Sequence, residues 1–135
     1  MAKRTNKTEQ SEHDSVIEAS ASSYIATGGT VYTNPGSEKN YDIDGFYPDL
    51  VAKKADGSIV IEEIETETTV TEDECYNQWK PYSKLGYQFI LIVPTSKVGL
   101  AQRFIRHSQL DVTVQTYTIS GANVSFYDSQ GKPIV

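Results

Sequence analysis

Apolar and polar positions along this chain follow two different periods, and the switches between them mark its elements. Residues 1–13 (MAKRTNKTEQSEH) offer almost nothing to bury and read as a disordered polar tail, basic at first through Lys3, Arg4 and Lys7. A helix is predicted from Ser15, where Ser15-Val16-Ile17-Glu18 fits a capping box, to about Ala26, with Gly28-Gly29 ending it. Thr30-Val31-Tyr32-Thr33 is a short β-prone run, closed by the turn signal Asn34-Pro35-Gly36, and residues 36–45 read as loop. Strands over 46–53, with Pro48 near the start, and over 58–66 flank Lys54-Ala55-Asp56-Gly57, which reads as a hairpin turn.

Thr71-x-x-Glu74 is a second capping box and opens a helix running to about Leu85, with Gly86 as its stop. Pro81 falls inside that helix and predicts a kink or break. Residues 87–93 form the most apolar run and read as a strand buried on both faces. A helix over 96–107, a strand over 112–119 and a hairpin return over 121–127 complete the string. The order α-β-β-β-α-β-α-β predicts an α/β fold, a small mixed sheet flanked by helices.

With 135 residues, 38% of them hydrophobic, the chain suits one domain, placed at residues 14–135. A net charge of −6 argues against a surface that binds nucleic acid everywhere, yet allows a local basic groove. The single cysteine, Cys75, excludes an internal disulfide framework and a Cys-rich zinc module, and reads as a small buried apolar residue. Neither an apolar leader nor a run of about 18 apolar residues stands out, so a soluble cytoplasmic protein is expected.

The candidate chemistry lies in the second half of the hairpin. Glu63 and Glu65, two apart in a strand, share a face with Ile59 and Ile61. A hairpin closed by Asp56-Gly57 sets Asp49 opposite Ile64, whereas the loop Ala55-Asp56-Gly57 sets it opposite Glu63. Either register brings Asp49 beside the pair. Three clustered carboxylates repel unless a cation joins them, and oxygen-only donors select Mg²⁺ or Mn²⁺. A solvated acidic edge strand is the competing account of Glu62, Glu63, Glu65 and Glu67. Asp42 and Asp44 compete with Asp49 for the first acidic position, while His13 and His107 read as surface residues.

Pro48-Asp49 followed by Glu63-x-Glu65 resembles the PD-(D/E)XK motif of restriction-endonuclease-like nucleases, with Glu65 where that family usually keeps a lysine. Gln78-x-x-x-Tyr82 on the next helix is similar to the Q-x-x-x-Y motif of RecB-like members; alternatively Tyr82 packs in the core and Gln78 is solvated. The resemblance implies a restriction-endonuclease-like core and Mg²⁺- or Mn²⁺-dependent hydrolysis of DNA phosphodiesters by a homodimer. It implies Asp49, Glu63 and Glu18 as metal ligands, although Glu18 also suits its capping box. Glu65 would orient or deprotonate the water, and Lys80 or Lys84 would face the scissile phosphate. Gln78, Tyr82, Lys97, Arg103 and Arg106 would contact the substrate. A catalytically silent module that binds nucleic acid or protein is the alternative, which the missing lysine and the acidic charge favour.

Overall fold

The computed structural model describes residues 7–35 and 39–134. The basic positions Lys3 and Arg4, and Gly36 of the first turn, lie outside them.

Helix α1 covers Lys7–Ala26, so residues 7–13 are helical and Ser15 sits mid-helix rather than at a cap. This corrects the expected disordered tail over residues 7–13; residues 1–6 lie outside the described residues. What folds the segment is polar contact rather than apolar burial: the Glu9 carboxylate accepts from the Thr68 amide at 2.9 Å and hydroxyl at 2.7 Å. The Tyr117 hydroxyl donates to Glu12 at 2.9 Å. The helix ends as expected, with Gly28 at a φ of 89°. Gly29 is required for space too, because a Cβ there would come within 3.0 Å of the Tyr24 carbonyl oxygen.

Strand β1 (Thr30–Thr33) pairs antiparallel with β2 (Leu50–Lys53), and β2 with β3 (Ile59–Ile64). Strand β2 is shorter than the expected 46–53. Ile43 and Phe46 exchange backbone hydrogen bonds across a tight turn at Asp44 and Gly45, both at positive φ, which removes 46–48 from the ladder. The β2–β3 turn is the three-residue loop Ala55-Asp56-Gly57, with Lys54 and Ser58 flanking it and Gly57 at a φ of 88°. Its register pairs Leu50 with Glu62 and Val51 with Ile61. Of the two registers open to the sequence, this is the one that sets Asp49 opposite Glu63.

After β3 come α2 (Glu72–Glu74), a π-helical turn (Cys75–Trp79) and α3 (Lys80–Ser83). Thr71 caps the segment, its side chain accepting from the Glu74 amide at 3.1 Å. The π turn is where the expected effect of Pro81 appears. Proline brings no N–H and its ring crowds the carbonyl four residues back; the wider turn just before it relieves both. Strand β4 (Gln88–Pro94) lies parallel to β3, a 3-10 turn (Thr95–Lys97) leads into α4 (Val98–Ser108), and β5 (Thr113–Ser120) lies parallel to β4. Strand β6 (Asn123–Asp128) returns antiparallel, giving one mixed six-stranded sheet ordered β1-β2-β3-β4-β5-β6.

The sheet separates two apolar clusters. On one face Val51, Ile61, Phe89, Leu91 and Val93 meet Cys75, Trp79 and Tyr82 of the π-turn segment and Ala101 of α4. On the other, Val60, Ile64, Ile90, Ile92 and Tyr117 meet Val16 and Ile17 of α1. The fold is thus α/β, a mixed sheet with helices on both faces. No described helix is long and apolar enough to cross a membrane.

Candidate metal centre

The apolar face of β3 continues into its acidic end. Ile61 belongs to the core beside Trp79, and strand alternation places Glu63 on the same side. Glu63, Glu65 and Glu74 each present a carboxylate oxygen within 4.8 Å of the others, and all three are buried. Asp49 joins them through the hairpin register: its amide donates to Glu63 Oε1 at 2.9 Å, and its Oδ2 accepts from the Ile64 amide at 2.8 Å. Exposure of the four residues is 2% or less. Oxygens in this group, Asp49 Oδ1 and Glu63 Oε2 among them, are buried without a hydrogen-bond partner. Buried polar atoms are rarely left so, and an unpaired carboxylate oxygen points to a missing cation or proton.

Electrostatics agree with the geometry. Burial, and then the charges of Asp49, Glu65 and Glu74, push Glu63 well above the ordinary carboxylate range. Burial and Glu74 push Glu65 up likewise, against the pull of hydrogen bonds from Trp79 and Thr69. The Trp79 indole N–H donates to Glu65 Oε2 at 2.8 Å, which fixes that carboxylate from the helical side. Tyr82 is raised too, first by burial and then by Glu63, Asp49, Glu74 and Glu65. The group therefore either keeps protons at neutral pH or holds a divalent cation. Its donors are all carboxylate oxygens, the set that Mg²⁺, Mn²⁺ and Ca²⁺ prefer.

Two members of this neighbourhood were hidden in the sequence. Glu74 had a sufficient local reason to exist as a capping-box glutamate, yet its side chain is turned inward to Glu63 and Glu65. His13, expected at the surface, is fully buried; its Nε2 lies 3.0 Å from Asp49 Oδ2 and its Nδ1 3.1 Å from Asp14 Oδ1. The signal was present in α1 as a helical stripe of Glu9, His13, Val16, Ile17, Ser20 and Tyr24. Because half of those residues are polar, the stripe did not read as a buried face.

The remaining expected site residues lie elsewhere. Glu18 is exposed on α1, beside a surface cleft shared with Ile17, Ala21 and Ile25, so it does not complete the acidic cluster. Lys80 Nζ lies over the ring of exposed Tyr76, 5.1 Å from its centroid, and Lys84 is exposed at the end of α3. Gln78 is half-buried, while Tyr82 is a core residue in edge contact with Phe46 and Phe89. Arg103 and Arg106 are exposed on α4 and Lys97 is half-buried just before it. Asp42 and Asp44 are exposed, and Asp42 caps the Gly45 amide, which leaves Asp49 as the first acidic position. Glu62 points to the opposite face, where Ser20 and Tyr24 donate to it at 2.6 and 2.7 Å.

No protein-family model matches the chain, and no curated protein matches it.

Proposed function

We propose that the chain is a Mg²⁺- or Mn²⁺-dependent nuclease acting on DNA phosphodiesters, with Glu63, Glu65, Glu74 and Asp49 as its metal-holding group. The observation that carries this reading is the convergence of the three glutamates, together with the buried oxygens Asp49 Oδ1 and Glu63 Oε2, which have no hydrogen-bond partner. Two further features support it. The Pro48-Asp49 and Glu63-x-Glu65 spacing resembles the PD-(D/E)XK motif. The order of a helix, three antiparallel strands, a helical segment and a fourth strand parallel to the third is that expected of a restriction-endonuclease-like core.

A bound divalent ion would lower the pKa of its water and offset charge on the phosphoryl oxygens. The protein's own part is orientation. Trp79 holds Glu65 Oε2, the Asp49 amide holds Glu63 Oε1, and the Ile64 amide holds Asp49 Oδ2, with His13 Nε2 3.0 Å from that oxygen. Glu74 takes the place that Glu18 had been assigned. Glu65, with one oxygen fixed and the other carboxylates around it, suits a ligand better than a free base. In this reading the metal rather than a lysine neutralises the site. Lys84, Arg103, Arg106 and Lys80 serve as outlying phosphate contacts.

One observation favours a second reading, a catalytically silent module that binds nucleic acid or protein. The four carboxylates are so deeply buried that a phosphate reaches them only if a neighbouring segment opens. Nicking of supercoiled plasmid separates the two. The wild type is expected to nick with Mg²⁺ or Mn²⁺ and to stop in EDTA, and Glu63→Gln to be inactive with either ion. Equal behaviour of wild type and variant in every condition would end the enzyme reading.

A further inference from the structure

Strand β1, first in the sheet order, and the segment joining it to β2 carry tyrosines that the metal centre does not use. The rings of Tyr32 and Tyr41 are stacked, with centroids 4.1 Å apart and planes 10° from parallel. Tyr32 is 42% exposed and Tyr47 36%. Lys39 Nζ stands over the Tyr47 ring, 5.4 Å from its centroid. Strand pairing fixes the side on which Tyr32 lies. It is opposite Val51, a core residue on the face of Glu63, whereas Val31 and Thr33 line the cleft against α1. Lys53, paired with Thr30, shares the Tyr32 side by alternation and is exposed.

A buried asparagine ties this edge to the carboxylates. Asn34 Nδ2 donates to the carbonyls of Tyr41 at 2.9 Å and Pro48 at 2.7 Å, and its Oδ1 accepts from the amides of Asn40 and Tyr41. Its own amide donates to the Asp49 carbonyl at 3.0 Å. One residue thus holds the aromatic edge in a set relation to the first metal-site carboxylate.

We propose that Tyr32, backed by Tyr41, and Tyr47 form a stacking platform for unpaired bases, so that the nucleic acid presented to the metal centre is single-stranded. The choice of ligand rests on the nuclease reading; the choice of strand form rests on the rings. Base faces are open to an aromatic ring only when unpaired, and stacking is tolerant of sequence. A net charge of −6 disfavours holding a duplex by phosphate neutralisation alone, whereas stacking needs few cations. Among the described residues, Lys39 stands over Tyr47 and Lys53 lies on the Tyr32 side, supplying cations beside the rings. Two such contacts give a log–log salt slope of about −1.4 for a single strand.

The test is fluorescence anisotropy of a labelled oligothymidylate of about 12 nucleotides with the full chain in EDTA. Binding is expected, with a duplex of equal length competing poorly. Tyr32→Ala and Tyr47→Ala should each weaken binding about tenfold, while Tyr32→Phe and Tyr47→Phe, which keep the rings, should bind as the wild type. Circular dichroism on each variant checks that the fold is retained. Undiminished binding by both alanine variants, or equal affinity for duplex, would overturn the proposal. Because binding is read without metal and nicking in the separate plasmid assay with Mg²⁺ or Mn²⁺, tyrosine-dependent binding with no nicking in that second assay would sink the nuclease reading and leave the platform standing. Metal-dependent nicking with unaffected alanine variants would do the reverse.

Discussion

At the scale of single residues, Glu63 concentrates the problem this chain has to solve. Its carboxylate is buried among Asp49, Glu65 and Glu74, with one oxygen satisfied by the Asp49 amide and the other unpartnered. Glu63→Gln keeps the carbonyl acceptor and removes the charge. In EDTA at neutral pH it should raise stability by about 1–3 kcal/mol. It should also erase the stabilisation that Mn²⁺ confers on the wild type, about 2.7 kcal/mol at a hundred times Kd. Urea denaturation with and without Mn²⁺ reads both effects, and a variant that loses stability yet keeps its Mn²⁺ gain would count against the metal centre. Trp79 offers an independent view, being the only tryptophan in the chain and a donor to Glu65. Mn²⁺ should change its fluorescence, and Trp79→Phe should cost about 1.5–3 kcal/mol by stripping a hydrogen bond from a buried carboxylate.

Elements decide which of these residues meet. The β2–β3 turn is a local device with a distant effect, since its three-residue loop sets the register that faces Asp49 to Glu63. A Cβ at Gly57 meets nothing within 4 Å, so Gly57→Ala tests backbone strain alone at a φ of 88°. It should lower stability by about 1–2 kcal/mol in a melting experiment while leaving Mn²⁺ binding intact. Loss of Mn²⁺ binding in a folded Gly57→Ala protein would show that the turn also tunes the site. The capping box at Thr71 and the strand limits of β4 and β5 were legible in sequence because they depend on residues close by. The π turn was legible only as a disturbance at Pro81. Its consequence, Trp79 brought to Glu65, required knowing what lay beneath the helix.

For the whole molecule, the balance of charge and burial makes stability depend on pH and on metal together. Glu62, Glu63 and Glu65 all have raised pKa values in the folded state, each chiefly through burial. A raised carboxylate binds more protons folded than unfolded, so ∂ΔG/∂pH is negative between the two pKa values. Stability of the metal-free protein should therefore be fullest below the unfolded glutamate value of about 4.3 and fall as pH rises toward the folded values. Saturating Mn²⁺ should flatten that decline, because the cation takes the place of the protons. Thermal melts across pH in EDTA and in Mn²⁺ check this, and a metal-free protein that gains stability steadily from acid to neutral pH would contradict it.

What sequence alone determined is what short-range chemistry controls: the hairpin turn, strand parity, the two glycine stops, the Thr71 cap and the order of elements. Parity placed Glu63 and Glu65 on one face with Ile61, and the hairpin narrowed Asp49 to two registers. Tertiary structure decided everything that depends on a partner far along the chain. It selected the register, brought Glu74 rather than Glu18 to Glu63 and Glu65, buried His13 against Asp49, and made residues 7–13 the first turns of α1 through Thr68 and Tyr117. The physical reason is common to these cases. Apolar burial leaves a periodic trace in sequence, whereas a buried polar group is accommodated by a specific distant partner and leaves no trace of it.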